Sequence, residues 1–269
     1  MRPMGKRALC VGVNKYPRED LELRGCVNDA KAWATLLRGQ YDFATTDVKV
    51  LTDRQATKAK IYKALGDLLA GSKRGDVLVF TNSSHGTYRA DKNGDEALYD
   101  EAMCPYDCDT DLLIDDELRE LFTAIPDGVR LTVISDSCHS GSVTRDPGGE
   151  TPDRRRKRWL DPKDIGLPVI NDVRRRAKPR AAELYPQSGM RELLLSGCRS
   201  DQYRSDARFG RKFHGAMTYH ALGVIAAAGG RITYGQLHKR LVPALREAQY
   251  DQEPQLEGRD AFKRRQIFT

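Results

Sequence analysis

Short apolar runs alternate with amphipathic stretches along most of the chain. Arg7–Val13 (RALCVGV), Asp47–Leu51 (DVKVL), Asp76–Phe80 (DVLVF), Arg130–Ser135 (RLTVIS) and Glu192–Leu195 (ELLL) have the length and apolar content of strands. Between them, apolar residues recur at helical spacing. Ala30, Trp33, Ala34 and Leu37 form one such series, with Asn28 or Asp29 as its candidate N-cap. Ile61, Leu65, Leu68 and Leu69 form a second, within 58–69, and Leu118, Leu121 and Phe122 a third, opened by Asp115 or Asp116. Further helices are expected over 214–228 and 233–248, and a last extended piece over 254–256. Residues 88–113 read as polar and turn-rich. Strands alternating with helices predict an α/β fold, with a mostly parallel central sheet flanked by helices on both faces.

In such sheets the chemistry sits just beyond the carboxyl ends of the strands. The third apolar run is followed by Thr81-Asn82-Ser83-Ser84-His85-Gly86, the fourth by Asp136-Ser137-Cys138-His139-Ser140-Gly141-Ser142, and the fifth by Ser196-Gly197-Cys198. A thiolate is a strong nucleophile, and an imidazole beside it can take its proton and later return it to a leaving amine. Gly86 leaves backbone N–H groups open to a substrate carbonyl, and with the Cys138 N–H it can form an oxyanion hole. Cys138, set among polar residues, does not read as a buried hydrophobe, whereas Cys10, Cys104 and Cys198 do. His139 is the competing base, although as the immediate neighbour of Cys138 it points elsewhere.

These stretches, with Gly25-Cys26-Val27-Asn28-Asp29-Ala30 and Pro254-Gln255-Leu256-Glu257-Gly258, resemble the metacaspases, caspase-like cysteine peptidases with bacterial counterparts. The resemblance spans nearly the whole chain and departs at Ser84, where the family usually has Gly. It implies a single caspase-like domain over 1–269: a large-subunit-like region (1–144), a linking loop (145–189) and a small-subunit-like region (190–269). It implies His85 as general base and Cys138 as nucleophile. Cys26, Asp29, Ser83 and Asp136 would form the pocket for the residue before the cut bond. Two carboxylates in one pocket repel unless a cation enters, so cleavage after Arg or Lys is expected. The competing role for Asp29 is the helix N-cap. The family's calcium activation maps approximately onto Asp100, Asp115 and Asp116, with Arg145 where a fourth acid is expected, so Ca2+ enters as a candidate activator, and no cofactor is expected for the chemistry.

Composition changes the picture in one place. The 269 residues suit one large domain, and no apolar run approaches the roughly 20 residues that cross a bilayer. The N-terminal residues lack a secretory apolar region, so a soluble, cytoplasmic protein with reduced thiols is expected. Cys104 and Cys108 have no second pair at zinc-site spacing. The net charge of +7 suggests nucleic acid at first. Residues 145–180, however, hold 12 basic and 6 acidic residues, a net of +6, which leaves +1 for everything else. Pro147, Gly148, Gly149, Pro152, Pro162 and Pro168 predict a long exposed loop there. Beside a pocket expected to take Arg, that loop reads as a cleavage region, cut by the protein itself or by an upstream protease, whose intact form restrains the site. The expected partners are protein substrates with exposed Arg or Lys, with no membrane, and the expected state is a monomer. The alternatives are a catalytically restrained adaptor and a nucleic-acid-binding loop.

Overall fold

The computed structural model describes residues 4–90, 99–137, 155–167, 186–197 and 205–269. Each predicted strand is present, as β1 (Lys6–Gly12), β2 (Val48–Thr52), β3 (Val77–Ser83), β7 (Arg130–Asp136) and β9 (Glu192–Ser196). With β12 (Gln255–Glu257) they form a six-stranded sheet ordered β12-β9-β7-β3-β1-β2. All pairs are parallel except β12 with β9.

Side chains alternate across the sheet, and both faces are covered. Leu9, Val11, Leu78, Phe80, Leu131 and Val133 face α2 (Lys58–Leu69) and α3 (Asp115–Thr123). Ala8, Cys10, Val77, Val79, Ile134 and Leu195 face α1 (Cys26–Gln40), α4 (Ala216–Ala227) and α5 (Tyr234–Glu247). Burial of each large apolar side chain stabilises by about 1.5–3 kcal/mol, so these two layers supply the main favourable term. Thr233 caps α5 by accepting from the Gln236 N–H, and Gln236 answers by accepting from the Thr233 N–H.

Three expectations are corrected. Within 88–113 there is ordered sheet: β4 (Gly86–Ala90), β5 (Tyr99–Met103) and β6 (Leu113–Ile114) pair antiparallel. Helix α1 begins at Cys26 after Gly25, so Asp29 lies inside its first turn and is not the N-cap. The basic loop is not simply exposed. Its described part forms β8 (Arg155–Lys157), which pairs antiparallel with β10 (Ser205–Phe209), itself paired with β11 (Lys212–Gly215). Leu160 and Ile165 then enter the core, and a 3-10 turn over Pro162–Ile165 is capped by the Asp161 carboxylate.

The face covered by α1 hinges on Trp33, which is buried and meets Phe268 edge-on with ring centroids 6.2 Å apart. Trp33→Ala should cost about 3–5 kcal/mol in urea unfolding. A loss below about 1 kcal/mol would show that this layer is not a packed core.

Candidate active site

The parallel register sets Ser83 beside Asp136, so β3 and β7 end level with each other. Asp29, in the first turn of α1, and Asp206, on β10, converge on the same point. At that point stands the guanidinium of Arg158, fully buried. Its Nη2 lies 2.7 Å from Asp29 Oδ2 and 3.0 Å from Asp206 Oδ1, and its Nη1 lies 3.4 Å from Asp136 Oδ2. Nη1 also donates to the Asp136 carbonyl at 3.2 Å.

Each carboxylate is held from behind by other donors. Asp29 accepts from Ser83 Oγ and the Gly215 N–H, and its Oδ1 lies 2.9 Å from His214 Nδ1. Asp136 accepts from the Thr218 N–H and hydroxyl, and Asp206 from the Arg24 and Gly25 N–H groups. The backbone approaches so closely that a Cβ on Gly215 would stand 2.2 Å from Asp136 Oδ2, and one on Gly25 2.2 Å from Asp206 Oδ1. Cys26 is buried within the electrostatic reach of the same group, and burial pushes its thiol well up. Burial also pushes the Asp29 carboxyl up, against the pull of Arg158 and His214, with the charge of Asp136 adding to the rise. Burial alone would lower Arg158, but Cys26, Asp29, Asp136 and Asp206 together hold it well above the usual arginine value. Three carboxylates against one guanidinium make a pocket built for a cation.

The rest of the segment lies along the strand ends. The Gly86 N–H donates to the Arg158 carbonyl at 3.0 Å, and the Leu160 N–H donates to the Gly86 carbonyl at 2.9 Å. Thr87 Oγ1 donates to the Leu160 carbonyl at 2.9 Å. The chain therefore makes a parallel β-bridge between Gly86 and Trp159, with hydrogen bonds on both sides of the Arg158–Trp159 bond.

His85, the residue before Gly86, is buried. Its Nε2 lies 2.8 Å from the Leu21 carbonyl, which can only accept, so Nε2 carries the proton and Nδ1 keeps its lone pair. Tyr16 Oη accepts from the His85 N–H at 3.1 Å, and the two rings lie 5.3 Å apart. Burial lowers the His85 pKa to about 3; the Leu21 contact opposes this, and the charges of Arg156 and Arg158 add to it. Ser137, the last described residue of its stretch, accepts from Asn82 Nδ2 at 2.7 Å. Cys138 and His139 lie outside the described residues, as do Arg145 and Cys198.

The acidic residues expected to take calcium are committed to arginines. Asp100 pairs with Arg89 at 3.0 Å, Asp115 with Arg119 at 3.2 Å, and Asp116 also with Arg119. Among the described residues no three His, Cys, Asp or Glu side chains gather as a metal-holding group. Burial pushes the Asp115 carboxyl up to about 7; the charges of Glu101, Asp116 and Asp100 add to the rise and Arg119 opposes it. Cys10, Cys26, Cys104 and Cys108 are free, buried thiols. No described helix is long and apolar enough to cross a membrane.

The model of the metacaspase, peptidase C14 domain matches residues 6–147. The chain belongs to the metacaspase family. It is 42% identical over 147 residues to metacaspase-4 of Arabidopsis thaliana, covering 52% of this chain and 34% of that protein. It is 34% identical over 264 residues to metacaspase-3 of the same plant, covering 92% of this chain and 67% of that protein. The chain thus spans between a third and two thirds of these relatives. A solved protein from Geobacter sulfurreducens superposes with a TM-score of 0.74 at 28% identity over 98% of each chain. Caspase-1 from Spodoptera frugiperda superposes with a TM-score of 0.60 at 13% identity over 95% of this chain and 86% of that one, a likeness of fold.

Two members of this metacaspase site escaped sequence reasoning. Asp206 sits on a short polar strand with no marker of its own. Arg158 is one of five consecutive basic residues, and only the apolar pair Trp159-Leu160 beside it marks the docked point. The described geometry predicts a titration. A His buried neutral binds fewer protons than an exposed one between about pH 3 and 6.5, so the fold loses stability as pH falls through that window and none above it. In intact Cys138→Ala protein, NMR should show His85 neutral down to about pH 3, and titrating near 6.5 once the chain is unfolded. A pKa near 6.5 in the intact chain would contradict the burial.

Proposed function

We propose that the chain is a cysteine endopeptidase cutting after Arg or Lys with a Cys138–His85 pair, held latent by its own basic segment. The observation that carries this reading is Arg158 in the three-carboxylate pocket with its carbonyl on the Gly86 N–H. A cation one residue before a bond whose carbonyl already meets an N–H donor is the arrangement of a substrate.

In this reading the Cys138 thiolate attacks the Arg158 carbonyl carbon, and the oxyanion rests on the Gly86 and Cys138 N–H groups. His85 Nδ1 takes the thiol proton and delivers it to the Trp159 nitrogen as the C–N bond breaks. Water then splits the Arg158 thioester, leaving a carboxylate and the free thiol. With His85 held neutral by burial, the imidazolium needed in this sequence is disfavoured while the segment is seated, which makes the intact form slow. Cutting Arg158–Trp159, by the domain itself or by an upstream protease, lets Arg158 leave and opens the pocket to protein substrates. Arg156 and Arg158 are engaged in internal contacts, which disfavours a nucleic-acid role for this part of the loop. Calcium is assigned no part in the chemistry. An activating role at Asp100, Asp115 and Asp116 requires it to displace Arg89 and Arg119, and activity unchanged in excess chelator removes that role.

Mass spectrometry of incubated protein should reveal a fragment beginning at Trp159. That fragment should be absent in Cys138→Ala, retained in Arg158→Lys, and reduced at least about 100-fold in Arg158→Gln. An adaptor predicts no such fragment and no turnover of Arg peptides after the loop is nicked in trans.

A further inference from the structure

The ends of β3 and β7 carry different chemistry on their two faces. Side chains alternate along each strand, so Ser83 and Asp136 turn to the α1 face, where they meet Asp29 and Arg158. Asn82 follows Phe80 to the opposite face, that of α2 and α3, and there meets Ser84 and Ser137. All three are buried. Asn82 Nδ2 donates to Ser84 Oγ at 3.0 Å and to Ser137 Oγ at 2.7 Å, which uses both of its protons. Ser84 Oγ donates to the His85 carbonyl at 2.8 Å. A hydroxyl has one proton, so in the 3.1 Å contact between the serine oxygens Ser137 donates and Ser84 accepts. The donors of this triangle therefore all run toward His85, an order in which each bond polarises the next.

The backbone ladder between the two strands stops at the Ser83–Asp136 pair. One residue further on, the serine pair takes over as the link across the strands. Ser84 is bonded in the chain to His85, and Ser137 to Cys138. The other holds on the His85 peptide lead away from β7. Its N–H donates to Tyr16 Oη, which donates to the Cys104 carbonyl at 3.4 Å, and the Cys104 N–H donates to the His85 carbonyl at 2.9 Å.

We infer that Asn82 and Ser84 are positioning residues, which tie the backbone of His85 to that of Ser137 and so hold the base at a fixed separation from the nucleophile. They touch neither substrate nor the reacting atoms. Removing one member strands the buried polar groups of the others and leaves the His85 peptide anchored from the Cys104 side alone. Transfer of a proton between thiol and imidazole suffers from a misplacement of about 1 Å. The arginine pocket lies on the opposite face of the strand ends and keeps its own hydrogen bonds. The signature of this role is a loss in kcat with KM retained.

This inference rests on the peptidase reading above, and the experiment separates the two. Turnover of the reporter peptide acetyl-Arg-Lys-Arg-aminocoumarin is followed on the full chain after its own segment has been cut. Ser84→Ala and Asn82→Ala should each lower kcat about tenfold and leave KM within about twofold. The double variant should fall no more than about twofold below the slower single one, because both changes break one network. Where Ser84→Ala does not fold, Ser84→Gly removes the same hydroxyl with the residue usual in the family at this position. Single variants with kcat within about twofold of the unchanged chain, a loss carried by KM, or a double variant that loses the product of the two single effects overturns the positioning role and leaves the peptidase reading standing. No turnover by the unchanged chain overturns both.

Discussion

Buried charge organises this molecule. Asp29, Asp136 and Asp206 come from a helix, a core strand and a separate antiparallel strand, and none has a reason to approach the others without a cation between them. Arg158 supplies that cation. Removing one partner of a buried ion pair typically costs about 3–5 kcal/mol, because the remaining charge is left without compensation. The seating of the whole 155–167 segment depends on that term, assisted by Leu160 and Ile165 in the core. The same pocket, emptied, keeps its carboxylates aimed by the Gly215, Gly25 and Thr218 N–H groups, and so keeps its appetite for a guanidinium or ammonium.

In the proposed reading, latency and specificity are two consequences of one arrangement. A tethered arginine competes with any substrate at high effective concentration. Burial holds the His85 imidazole neutral, and the charges of Arg156 and Arg158 on that segment lower its proton affinity further. Displacing the segment changes both conditions together, which is why a single cut suffices as a switch in this account.

How much of this was legible in the sequence depended on what each residue does. The central strands were readable because Val77, Leu78, Val79 and Phe80 are buried on both sides and carry no polar alternation. The strand-end rule brought Ser83, His85 and Asp136 to one edge before any coordinates, because parallel strands end on the same side. Strands β10 and β11 were missed because SDARF and KFHG are short and polar, stabilised by pairing and not by a hydrophobic face. Asp29 left two readings open, helix cap or pocket, and the start of α1 at Cys26 decides against the cap. The place of Arg158 was out of reach for another reason. Its partners lie 129, 22 and 48 residues away, and local pattern carries no signal over such separations.

The most direct test of the account is the reaction order of the cut after Arg158. If Arg158 is held in the pocket of its own chain, the half-time for appearance of the Trp159 fragment is the same across a hundredfold dilution. A half-time that lengthens in proportion to dilution would mean that the bond is presented to another molecule, and would contradict the seated segment as the origin of latency.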